Sequence, residues 1–385
     1  MYNYSKRDIP NTALKVIYTL IFIEVLIKIF SYFSIKSLII SNLYINYKDG
    51  FIRRGLFGSL LYIFSKNTLI NPFYLQMTTT ILVILILIVW FLTKFSKHNL
   101  NIYIFFGSFM IVNILAYNMF FFVEVYLFLL SIILFTLLKY FKSSIPKILL
   151  ANTVLIIGSL IHEAFFLFNF LPTLYFLIDE EYSFFNIKKI ASLFPSFVVF
   201  LILGLYFNGQ FTDENLIIDS WKIFKPSYIN EIKSLYWTYN TSDKVLISRI
   251  PIFQKNPINL LGFFMNLVLI FFNFSYYIKS FFFTKWKSFK TVIFLQYLVI
   301  ILISMIAIDY VRWFWWGNIT LLISFILLQK NREKSRMQIP KTRGIELNKL
   351  LILFIGLPLG GSWSVTQFIY TMPIKHIYDL ITRLI

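Results

Sequence analysis

The sequence predicts an all-α polytopic membrane protein: a single integral membrane domain over residues 1–385, with about eleven transmembrane helices of roughly 20 residues each and one sizeable extracytoplasmic loop, 209–256. Three observations carry that reading. Hydrophobic residues make up 58% of the chain against 14% charged, and mean hydropathy is +0.75. A soluble domain of this length needs more polar surface than that. Apolar runs near the length of a bilayer recur along the whole chain. Lys and Arg collect in short segments between those runs, as membrane topology favours. The formal net charge of +19 therefore reflects topology, and no nucleic-acid partner is expected. With no cysteine, disulfides and thiolate metal sites are excluded.

The elements follow in order. Lys6 and Arg7 precede the first apolar run, 12–33, with no small-residue cleavage site after it, so it reads as a retained helix. Glu24 and Lys28 lie i,i+4 within that run and neutralise each other. Further spans are expected at 73–94, 101–118, 119–138, 147–161, 164–178, 190–208, 257–278, 289–308, 313–329 and 350–368. The least regular division falls around His162, between the fifth and sixth of the eleven. The 330–349 segment is a solvated basic loop, and no internal repeat is visible.

With the N-terminus in the cytoplasm, the lysines at 94, 97, 139, 142, 147, 188, 189 and 279–290 all fall inside. Charge that topology does not explain then gathers on the other face. It comprises the stretch from Asp49 to Arg54, the His162–Glu163 pair, the 209–256 loop and Asp309–Arg312. A site opening outward is the expectation.

"DGFIRRGLFGSLLYIF", read as a helix, places Leu56, Leu60, Ile63 and Phe64 on one apolar stripe, with Gly55, Gly58, Ser59 and Tyr62 opposite. Arg54 flanks the small-residue face and Arg53 falls in the stripe. Guanidinium groups there bind a phosphate in bidentate fashion; the alternative is snorkelling to lipid headgroups. In "SLIHEAFFLFNFLP" an imidazole beside a carboxylate at membrane depth is costly and marks a candidate proton acceptor. The competing reading is a helix-end pair bonded to its neighbours. In "AIDYVRWFWWGN", Asp309 and Arg312 either pair with each other at i,i+3 or orient and bind phosphate, beside tryptophans that also suit an interfacial belt. Glu124 is a carboxylate near the outer end of its span and a second-tier candidate partner for an arginine.

In the 209–256 loop, Trp221, Trp237 and Tyr239 offer flat faces for sugar rings, and Arg249 a further polar contact; the same aromatics also suit anchoring at the bilayer surface. His98 and His376 lie far from His162, so no metal-ligand cluster is expected. Neither a phosphate-binding loop, a dinucleotide fingerprint nor a G-x-S-x-G elbow is present. The substrate must arrive activated, and no cofactor is expected. A polyprenyl-diphosphate-linked saccharide fits such a site. Arg53, Arg54 and Arg312 would stabilise the leaving diphosphate. One of Glu163, His162, Asp309 or Asp49 would take the proton of the attacking hydroxyl, without a metal.

In its number of spans, its long outer loop in the second half and its outward arginines, the chain resembles the bacterial O-antigen polymerases of the Wzy type. The resemblance covers nearly the whole chain in design, without a tight motif. It implies joining of undecaprenyl-diphosphate-linked repeat units in the bacterial inner membrane, alongside a flippase and a chain-length regulator. Two alternatives stay open. One is a GT-C-type glycosyltransferase using a polyprenyl-phosphate sugar, with Asp49 as base. The other is a flippase for the same lipid-linked oligosaccharide, against which the missing repeat counts.

Overall fold

The structure is a computed structural model, and it describes residues 44–48, 51, 54–97, 123–178, 187–205, 214–224, 287–306 and 310–328. Among the described residues 89% are helical and none lies in a strand, which establishes the all-α class. The helices are α1 (Gly55–Thr68), α2 (Pro72–Lys97), α3 (Glu124–Tyr140), α4 (Ser144–Ile161), α5 (Ala164–Leu177), α6 (Ile187–Ser192), α7 (Phe194–Leu205), α8 (Glu214–Trp221), α9 (Lys287–Ile306) and α10 (Tyr310–Leu328). The expected spans 12–33, 101–118, 257–278 and 350–368 lie outside the described residues, as does most of the 209–256 loop.

Two described helices are long and apolar enough to cross a membrane: α2 over Pro72–Lys94, and α4. At 1.5 Å per residue the 26 residues of α2 extend about 39 Å, past a hydrocarbon core of about 30 Å. By contrast the 14 residues of α5 reach only about 21 Å. Nearly every residue of α5 is buried. A helix apolar all round belongs in the middle of a bundle, and α3, α4, α9 and α10 all pack on α5. The expected span 190–208 is divided at Leu193 into α6 and α7. Pro195 then sits in the first turn of α7, where its missing N–H costs nothing.

Glycine sets how closely the central helices approach. A Cβ on Gly158 would stand 2.1 Å from Phe165 Cδ1, so the α4–α5 hairpin closes only over a bare backbone. Gly317 meets Ile300 in the same way, with Cδ1 at 2.3 Å, and seats α10 on α9. Outward from the core, Leu82, Leu85, Ile86, Val89 and Leu92 form an exposed stripe along α2. Phe194, Phe197, Leu201 and Leu205 do the same on α7. Water penalises contiguous apolar surface of this kind and lipid does not.

The bundle has two chemically distinct ends. At one, Lys139 Nζ donates to the Leu327 carbonyl at 2.5 Å, joining the last turns of α3 and α10. Asn152 of α4 donates to Ser192 O at 2.8 Å and accepts from Ser196 N at 3.1 Å. Tyr175 of α5 meets Phe289 of α9 edge-on at 5.0 Å. At the other end the starts of α1, α3, α5 and α10 come together, and there the candidate site lies.

Candidate functional site

Helix α1 starts one residue after the arginine pair. Arg54 is its N-cap, in the left-handed conformation (φ 67°, ψ 15°), and its side chain does not cap the helix. A bulky L-residue rarely adopts that conformation, and surrounding contacts must hold it there. The left-handed residue breaks the continuous helix expected from Asp49 onward. It also turns the Arg54 side chain across the bundle end. Arg53 and Asp49 lie outside the described residues. Of the expected small-residue face Gly55 and Gly58 are buried, together with Leu61 and Ser65, while Ser59 and Tyr62 stay partly exposed. Leu60, Ile63 and Phe64 face outward.

What Arg54 meets is Glu163. Nε donates to Oε2 at 3.0 Å and Nη2 to Oε1 at 2.5 Å. This is the parallel two-bond geometry in which guanidinium and carboxylate bind most strongly. Both side chains are partly buried, at 18% and 16% exposure, so water screens the pair less than at an open surface. Sequence reasoning selected both residues but assigned them separate partners.

Glu163 is positioned by the α4–α5 turn. His162 leaves α4 with an extended backbone (φ −161°, ψ 121°), its N–H bonded to Gly158 O at 2.8 Å. Its imidazole is buried at 2% exposure. Nδ1 accepts the Ala164 N–H at 3.2 Å, so that nitrogen carries a lone pair and the ring proton sits on Nε2. Glu163 Oε2 is 3.6 Å from the same Nδ1. With lone pairs on both sides this approach is no ion pair; it becomes a hydrogen bond only when a proton is added. The imidazole stands edge-on to Trp316 at 5.2 Å and to Trp313 at 5.9 Å. Phe168 and Phe128 pack behind Trp316.

A polar knot that sequence reasoning missed joins the start of α3 to α2. The Tyr126 hydroxyl of α3 lies 3.0 Å from Thr79 Oγ1 and 2.6 Å from Thr80 Oγ1 of α2. Phe57 packs on the Tyr126 ring at 4.5 Å, which ties α1 to the same point. The signal was present as "QMTTT" in an otherwise apolar helix, Gln76–Thr80. Glu124 is fully buried in the first turn of α3, where the helix dipole favours a carboxylate.

Trp221 differs from its expected part. It is fully buried, its indole N–H donating to Tyr44 O at 2.8 Å. Tyr44 and Tyr62 meet its ring edge-on at 4.9 and 5.4 Å. The ring is the anchor by which α8 is fixed to α1 and the 44–48 segment, and it presents no free face to a sugar. Asn46 adds a bond to Ser220 Oγ at 2.8 Å. Beside it Tyr47 stacks on Phe51 at 5.0 Å. Burial pushes the Tyr47 phenol up to about 12, against a smaller lowering from the Leu56 backbone. Arg249, Trp237, Tyr239 and Asp309 lie outside the described residues, and of Arg312 only the backbone is described, in the first turn of α10.

Comparison with protein-family models, with curated proteins and with solved structures gives no match.

Proposed function

We propose that the chain is a membrane glycosyltransferase that joins polyprenyl-diphosphate-linked oligosaccharide repeat units, in the manner of an O-antigen polymerase. The arrangement envisaged has about eleven spans, the N-terminus in the cytoplasm, and the site on the periplasmic face of the bacterial inner membrane. The observation that supports it is the Arg54–Glu163 pair with His162 behind it, at the end of the bundle where several helices begin. A guanidinium largely shielded from water suits a diphosphate, and oriented helix starts add favourable potential for an anion. A carboxylate at the bundle end suits proton acceptance from a hydroxyl.

In the step proposed, the acceptor sugar's hydroxyl oxygen bonds to the anomeric carbon of the donor saccharide. The bond from that carbon to the diphosphate oxygen breaks, and polyprenyl diphosphate leaves with the electron pair. The hydroxyl proton passes to Glu163. Arg54 carries the charge that develops on the departing diphosphate. Arg53, Arg312 and Arg249 are candidates for further contacts, as are Asp309 and Asp49 for the base.

Purified protein given lipid-linked repeat units and no nucleotide should form a ladder of products. Arg54→Ala should abolish it at unchanged protein level in the membrane. A requirement for polyprenyl-monophosphate sugars would favour the GT-C reading. Movement of lipid-linked saccharide across the bilayer without a new glycosidic bond would favour the flippase.

A further inference from the structure

The guanidinium assigned to the diphosphate is already occupied by the chain's own carboxylate. Glu163 takes Nε and Nη2 of Arg54, the same fork that a phosphate would use. An anion therefore cannot take both of these donors while Glu163 keeps them. Nor is Glu163 an effective base in this state, because the adjacent positive charge stabilises its ionised form. On the Nε/Nη2 edge the two assigned roles exclude each other as long as the pair is closed.

We propose that Glu163 is a displaceable counter-ion. The ligand-free chain holds its anion site shut with Glu163, and an incoming diphosphate exchanges for that carboxylate on Arg54. The exchange releases Glu163 beside the buried His162 imidazole, whose Nδ1 is 3.6 Å away. This rests on the reading of Arg54 as diphosphate ligand and adds the order of events: diphosphate binding precedes base activation. The backbone fits such a device. Arg54 is held in a left-handed conformation at the very start of α1, where a side chain can swing without unwinding a helical turn. Glu163 sits in the two-residue turn between α4 and α5, and its own side chain makes no cap on α5. Neither helix depends on the pair for its end.

The test measures binding of inorganic pyrophosphate to the purified full-length chain in detergent, by titration calorimetry. Glu163→Gln keeps the shape and removes the charge, and should bind pyrophosphate about tenfold tighter than wild type. Glu163→Asp, one methylene shorter, should fall between the two and serves if the glutamine variant does not fold. Arg54→Ala should lose binding in either background. Unchanged or weaker affinity in both Glu163 variants overturns the displacement, while Arg54-dependent binding in wild type would leave the diphosphate reading intact. No binding in wild type or either Glu163 variant overturns both. Tighter binding in the variants without any polymer from lipid-linked substrate supports the displacement and overturns the polymerase. Repeating the titration in phosphatidylglycerol nanodiscs separates the sources of phosphate. If headgroups erase the gain of the glutamine variant, the site belongs to phospholipid and the proposal fails.

Discussion

Arg54 and Glu163 stand 109 positions apart in the chain, yet they share two hydrogen bonds. One residue heads α1 and the other heads α5. The ion pair fixes the short outer helix to the buried central one, and it sets a guanidinium, a carboxylate and an imidazole in a row at one end of the bundle.

Backbone and side chain of Arg54 act separately, and two substitutions distinguish them. Arg54→Ala loses the ion pair and keeps the left-handed strain. Arg54→Gly loses the same ion pair but relieves that strain by about 1 kcal/mol. The glycine variant should therefore unfold at a higher denaturant concentration than the alanine variant, with both inactive in polymer formation. Equal midpoints would show that position 54 is not strained.

Gly158→Ala should be strongly destabilising for so small a change. Its Cβ meets the Phe165 ring at 2.1 Å, and overpacking of this kind costs about 1–3 kcal/mol. The displaced ring lies one turn from His162, so the Arg54–Glu163 alignment should suffer with it. Phe165→Leu in the same chain should recover part of the loss. The midpoint of thermal unfolding in detergent measures both.

The two ends of the bundle should face opposite sides of a membrane. The chain has no cysteine, so single cysteines can be read without background. Lys48 and Lys142 are both exposed and lie toward the two different ends. An impermeant maleimide added to intact spheroplasts should label Lys48→Cys, while Lys142→Cys should react only after lysis. Labelling of both from outside would remove the sidedness on which the outward site depends.

Alkali should act at Tyr47 later than at an ordinary tyrosine. Its pKa is raised to about 12 by burial, so the folded chain holds that proton where the unfolded chain releases it. Its contribution to stability is intact below the unfolded value of 10 and declines as pH rises toward 12. Tyr47→Phe should remove a late-titrating component from the tyrosinate absorbance and flatten the loss of stability over that window. A Tyr47 signal complete near pH 10 would contradict the burial described.

The sequence made much of the fold legible because helix formation is local. Apolar runs and their interruptions placed a helix near 73–94, where α2 runs Pro72–Lys97, and another near 313–329, where α10 runs Tyr310–Leu328. The break at His162–Glu163 was visible too, since two ionisable residues in a long apolar stretch mark where a chain leaves the hydrocarbon. Of the small-residue face expected on α1, Gly55 and Gly58 are buried.

What the sequence by itself determined, then, was where most of the described helices lie, where polar groups interrupt them, and which side chains are too costly to be there without a reason. All of that depends on bonds four residues apart and on the preference of each side chain for lipid or water. Only the tertiary structure decided partners. It joined Arg54 to Glu163 and Tyr126 to two threonines of α2, and it buried Trp221 where a free ring was expected. Those outcomes depend on which helix ends meet and on reaches of a few ångströms, and the period of a helix carries no record of either.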